Sequence, residues 1–165
     1  MNSHNKSFCL NVFLNDTCKG AMNMSEFVDT IKIQMSDLEN FAHMDYPDGV
    51  SKILLKNLNN LDINLRPIHC SDLKRETLYV KDNNQWQRDG PDHEKMTNAV
   101  LAVEQKNVAL VNEWAKTHPQ CENSETQANQ IYMTLAKHAT DGDEENVAKV
   151  AKQIAKSVII DKNDY

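Results

Sequence analysis

From Asn23 onward, Met24, Val28, Ile31, Met35, Leu38 and Ala42 follow one another at alternating steps of four and three. That spacing sets them in one stripe along a helix of about five turns. Asn23 stands as its N-cap with Glu26 in the capping-box position, and Pro47 and Gly49 lie beyond its end. A second helix is expected from about Asp48 to Asn60, with Ile53, Leu54, Leu58 and Leu61 as its apolar face. The stripe returns in Met96, Val100, Val103, Asn107, Leu110 and Trp114. It predicts a long helix from about Asp92 to Thr117, stopped ahead of Pro119, with one polar member, Asn107. Ser124 and Gln127 have capping-box spacing and open a helix towards Lys137. Asp141 or Asp143 caps a last helix whose face is Val147, Val150, Ala151, Ile154 and Val158. Glu144 and Glu145 at its start and Lys152 and Lys156 towards its end suit the helix dipole.

Elsewhere the period is two. Phe8, Leu10, Val12 and Leu14 alternate with other residues and read as a strand. Ile68–Ser71, Thr77–Lys81 and Gln85–Arg88 read as three more, the Thr77–Val80 run having high strand propensity. Asn83-Asn84 supplies a two-residue hairpin turn, because Asn tolerates positive φ. Leu73–Arg75 makes the other turn and Gly90-Pro91 closes the block. The fold class is therefore α+β: a mostly helical single domain with a small central antiparallel β-meander, which the Phe8–Leu14 strand could join. Residues 1–6 are expected to be a disordered leader, 7–160 the globular domain with the meander at 66–88, and 161–165 a frayed tail.

A chain of 165 residues has room for one core. No apolar run approaches a membrane span, and the first fifteen residues lack the apolar core of a secretory signal, so no membrane partner is expected. The four cysteines, Cys9, Cys18, Cys70 and Cys121, form no CxxC pair. Without a secretory signal they read as thiols in an intracellular, reducing compartment. Asparagine is common, at 19 residues, and Lys outnumbers Arg 15 to 3, a bias that suits AT-rich coding DNA.

The net charge of −6 argues against nucleic-acid binding by the whole surface. Its distribution is uneven. Residues 66–88 hold Arg66, Lys74, Arg75, Lys81 and Arg88 against three acids, and all three arginines fall there. With Trp86 these cations form a candidate surface for a partner or for nucleic acid, where aromatics stack and cations meet phosphate. The same residues equally suit a fold-stabilising network, with Arg66 and Arg75 paired to Asp72 and Glu76 and with Tyr79 and Trp86 in the core.

No catalytic residue, cofactor or metal site is assigned. His69, Cys70, Asp72 and His93 are potential metal ligands. Neighbours on a strand point to opposite faces, however, and contiguous ligands do not have a zinc-site spacing. Neither Cys70 nor Cys121 has a base placed by spacing to make it a nucleophile, and the scattered glycines form no phosphate loop. A metal-dependent nuclease using His69 stands as a third reading, short of ligands.

The string RPIHCSDLKRETLYVKDNNQW, Arg66 to Trp86, is the most distinctive in the chain. With Phe13–Gln34, Tyr46–Asp62 and Val147–Lys162 it resembles an uncharacterised domain of giant DNA virus, mimivirus-like, proteins. Many such proteins resemble two-part chains in which this domain follows a two-cysteine, two-histidine zinc finger. His4, Cys9 and Cys18 do not reproduce one, so the chain reads as a stand-alone member or as a fragment beginning after a finger. The resemblance implies a location in host cytoplasm, viral factory or virion, and no established activity.

The leading expectation is a non-enzymatic interaction or homo-oligomerisation module. Val28, Ile31, Met35, Leu38, Val100, Val103, Asn107, Leu110 and Trp114 form its candidate oligomer stripe, with Asn107 setting register. Nucleic-acid binding through the basic block is the alternative.

Overall fold

The computed structural model describes residues 7–165; the leader expected over residues 1–6 lies outside them. The described chain is an α+β domain of seven helices and one three-stranded antiparallel sheet.

The first element departs from expectation. Phe8–Leu14 is not a strand. A single turn, α1 (Leu10–Val12), widens into a π-helical turn over Phe13–Thr17, closed by the Cys18 N–H donating to the Phe13 carbonyl at 2.9 Å. Both alternating faces of this segment are apolar. A helical turn can bury the consecutive Phe13 and Leu14 on one side, which a strand cannot.

The single helix expected from Met24 to Ala42 is two, α2 (Met24–Thr30) and α3 (Met35–Phe41). The Thr30 hydroxyl donates to the Phe27 carbonyl at 2.6 Å, Ile31 turns extended, and the Asp37 carboxylate accepts from the Gln34 N–H at 3.0 Å to start α3. The break lets the stripe serve two cores. Met24, Val28 and Ile31 enter the main core, whereas Leu38 enters a second one.

α4 (Tyr46–Asn59) begins earlier than expected. Asp45 caps it by accepting from the Asp48 N–H at 3.0 Å, and Pro47 sits in the first turn, where no N–H is needed. The meander follows as β1 (Ile68–Asp72), β2 (Thr77–Asp82) and β3 (Gln85–Arg88), in spatial order β1-β2-β3. Asn83 and Asn84 take φ of 49° and 62°, the mirror-turn conformation a two-residue hairpin needs.

α5 (Glu94–Thr117) is the spine. Its start is fixed by Asp89 rather than Asp92, the Asp89 carboxylate accepting from Lys95 N at 2.9 Å and Met96 N at 3.0 Å. Its first half, through Met96, Val100 and Val103, lies in the main core with α2, α4, the sheet and α7 (Glu144–Ser157). Its second half, through Val111 and Trp114, lies in the second core with α3 and α6 (Gln127–Ala139). Thr126 caps α6, not Ser124, and Asp143 caps α7, accepting from Asn146 N at 2.8 Å.

The end of the globular region binds the sheet. The Cys70 N–H donates to Val158 O at 2.8 Å and the Ile160 N–H donates to Cys70 O at 2.9 Å, so the 158–160 segment runs parallel to β1 and covers that edge of the sheet. Tyr165 then packs on Phe13 with ring centroids 4.6 Å apart.

Candidate functional site

Alternation along the strands sorts their side chains. Ile68, Cys70, Leu78 and Val80, all fully buried, face the main core. His69, Tyr79, Lys81 and Trp86 occupy the other face, under the Phe8–Ala21 segment and the tail. This outer face brings Cys18, His69, Lys81 and Trp86 together.

His69 is 2% exposed, and its Nε2 lies 3.7 Å from the Sγ of Cys18, which is fully buried. Phe13 meets the imidazole edge-on at 5.0 Å and Trp86 lies against it at 5.6 Å. Beside the pair, the buried Lys81 ammonium donates to the carbonyls of Lys19 and Ala21, both at 2.8 Å. The Trp86 indole N–H donates to Cys18 O at 3.4 Å.

A thiol beside an imidazole is the geometry of a cysteine nucleophile. Its electrostatics are not. Burial pushes the Cys18 thiol up to about 11, against the smaller downward pull of Lys81. Burial, helped by Arg66 and opposed by the Ile63 carbonyl, pushes the His69 imidazole down to about 4. Moving the proton from sulfur to nitrogen therefore costs on the order of 10 kcal/mol before the attraction between the two new charges is counted. Both groups rest neutral. With no open path to the sulfur, the arrangement acts as a clasp joining the N-terminal segment to the sheet.

The basic block does not form one surface. Arg66 donates from Nε to the carbonyls of Leu58 and Leu61, at 3.0 and 3.2 Å, and so closes the C-terminal end of α4. Lys81 is spent inside, and Trp86 is partly covered. Lys74 and Arg75 stand exposed on the β1–β2 turn, and Arg88 is exposed on β3. Arg75 lies 3.8 Å from Asp72, whereas Glu76 is met by His93 at 3.8 Å. Three open cations on an acidic protein make a weak phosphate-binding footprint.

The proposed oligomer stripe is consumed within one chain. Val28, Ile31, Leu38, Val100, Val103, Asn107 and Trp114 are buried, and Met35 and Leu110 are half-buried against the second core. These stripe residues therefore face the interior of the described chain rather than its surface. Nor do His69 and Cys70 converge, since they point to opposite faces. Among the described residues no three His, Cys, Asp or Glu side chains gather as metal ligands, and no helix is long and apolar enough to cross a membrane.

One exposed feature was not singled out by any motif. Asp82↔Gln85 and Val80↔Gln87 are paired across the hairpin, and the Asp89 N–H donates to Leu78 O at 2.8 Å. In a two-residue hairpin these are the hydrogen-bonded pairs, so the N–H and C=O groups of Trp86 and Arg88 point away from β2. Among the described residues nothing bonds to them. Gln87 and Arg88 also border an open groove of about 560 Å³ between the hairpin, α2 and the start of α5. The signal available beforehand was the Asn-Asn turn, which fixes the parity of the strand. No family model, curated protein or solved structure matches the chain.

Proposed function

We propose that this chain is a non-enzymatic interaction module whose contact element is the open edge of β3. The observation that carries the reading is the set of outward N–H and C=O groups of Trp86 and Arg88, held in strand geometry without a partner among the described residues. An unpaired edge of this kind accepts a further strand by backbone hydrogen bonding. The rest of the molecule stiffens it. Asn23, the N-cap of α2, accepts from the Asn84 N–H at 2.8 Å and donates to the Asn84 side chain at 3.0 Å, which pins the hairpin tip. The opposite edge, at β1, is already covered by the 158–160 segment. The sealed, neutral Cys18–His69 pair supports a reading without catalysis. On the resemblance noted above, the module would serve a giant-virus protein.

The test is amide hydrogen exchange on the full chain, with a short peptide of alternating Thr and Val as the strand probe. The Trp86 and Arg88 amides should gain protection on adding the peptide, while Gln85 and Gln87, already bonded to β2, should not change. Arg88→Pro removes an outward donor and should abolish the gain. Unchanged exchange at Trp86 and Arg88 would refute the reading.

A further inference from the structure

From that edge reading, on which this step rests, we infer that the strand β3 accepts is the β3 of a second copy, antiparallel about a two-fold axis through Gln87. A two-fold contact requires the same patch on both copies to complement itself. Three antiparallel registers keep the outward groups in contact. With Gln87 on the axis, Trp86 faces Arg88 of the second copy and Arg88 faces its Trp86, and both pairs exchange N–H and C=O groups, giving four interchain bonds. With Trp86 on the axis, Arg88 would face Asn84, whose N–H is already given to Asn23. With Arg88 on the axis, two like charges would meet directly, which is unfavourable.

Side-chain chemistry selects the same register. Trp86 and Arg88 lie on one face of the strand, Lys81 and Tyr79 being their partners on β2. In the dimer each Arg88 guanidinium therefore meets the open side of a Trp86 indole, a favourable cation–aromatic pair. The product is one continuous six-stranded sheet whose outer edges are both covered by the 158–160 segments. Gln87 is exposed, and at the axis it would face its own copy at the closer, non-hydrogen-bonded spacing.

Sedimentation equilibrium of the full chain up to millimolar concentration tests this, together with charge variants at the axis. The wild type should rise from 18.8 kDa towards twice that mass. Gln87→Lys and Gln87→Glu each set like charges across the axis and should weaken association about two- to five-fold. Mixed in equal amounts they should regain or exceed wild-type association, because the pair is then of opposite charge. Arg88→Pro should leave a monomer. Gln87 being exposed, the far-ultraviolet dichroism and urea midpoints of its variants should match the wild type. A wild type that stays monomeric, or single variants that weaken association without recovery on mixing, would overturn the inference. If the chain is monomeric yet the Thr/Val peptide protects Trp86 and Arg88, the second copy fails and the open edge stands; if neither adds, both fail.

Discussion

Gly49→Ala sets two known effects against each other, and the packing decides between them. Gly49 lies inside α4, where Ala is ordinarily better by about 1 kcal/mol. Here a Cβ would stand 2.5 Å from Cδ2 and 3.0 Å from Cζ of Phe41, whereas carbon atoms rest at about 3.5–4.0 Å. Phe41 cannot yield easily. It is 1% exposed, and its carbonyl accepts from Nδ1 of His138 at 3.1 Å, tying α3 to α6. Overpacking of this kind costs about 1–3 kcal/mol, and overlap with several ring atoms favours the upper end. The net loss should be about 1–2 kcal/mol, lowering Tm by roughly 2–8 °C for a chain of this size. Urea unfolding followed by dichroism should show a lower midpoint with an unchanged slope. Phe41→Leu provides the control. In that background the added methyl has room, so Gly49→Ala should become neutral or stabilising, with a coupling of about 1–3 kcal/mol. A raised midpoint in the wild-type background, or an equal loss in both backgrounds, would show that the ring does not oppose the methyl.

Asn107→Val should raise stability by about 1 kcal/mol, because the wholly buried amide has no partner among the described residues and an unmatched polar group is costly; a lower urea midpoint would show that the amide is bonded. For His69 the sign is set by a base whose pKa is lowered on folding. Between about 4 and 6.5 the unfolded chain binds a proton that the folded one does not, so stability is full above this window and falls as pH drops through it, by roughly 3 kcal/mol in all. Urea midpoints at neutral pH and near the bottom of the window should therefore differ less for His69→Gln than for the wild type, and parallel falls would sink the assignment. Cys9 is the exposed thiol and Cys18, Cys70 and Cys121 are buried, so a disulfide-exchange reagent should find one fast thiol in the native protein and four in denaturant; a second fast thiol assigned to Cys18 would break the clasp described above.

The elements legible in the sequence are those whose pattern is local. The meander appears with its turns because Asn83-Asn84 is demanded by the hairpin itself, and α5 appears because a single stripe runs its length. Phe8–Leu14 was misleading because its residues are apolar on both sides, so a period of two named no polar face, and the sheet beneath it then decided its shape. The α2–α3 break was hidden for the opposite reason. The spacing of Met24 to Ala42 is perfectly helical, yet its two halves address different cores, a fact that resides in α5 rather than in the stripe. At the outer face, Cys18 and His69 stand 51 positions apart and no spacing rule joins them. For Arg66 and Lys81 the sequence leaves surface and network readings open, because their partners are main-chain carbonyls, which carry no sequence signature.

Dividing the interior explains why greased helices need not make this chain adhere to itself. One straight helix over 24–42 would have carried its stripe past the end of any single core and left apolar residues outside. Bending at Ile31–Gln34 returns the second half to the far end of α5, and α6 closes over it. Asn107 sits on α5 between Val103 of the main core and Val111 of the second, where one interior gives way to the other. With the two helix stripes largely turned inward, the bonding capacity still open on β3 belongs to the backbone. Backbone bonding is set by register rather than by hydrophobic area, so association of this chain should depend on a charge placed at Gln87 and be nearly indifferent to substitutions along the helix stripes that preserve the fold.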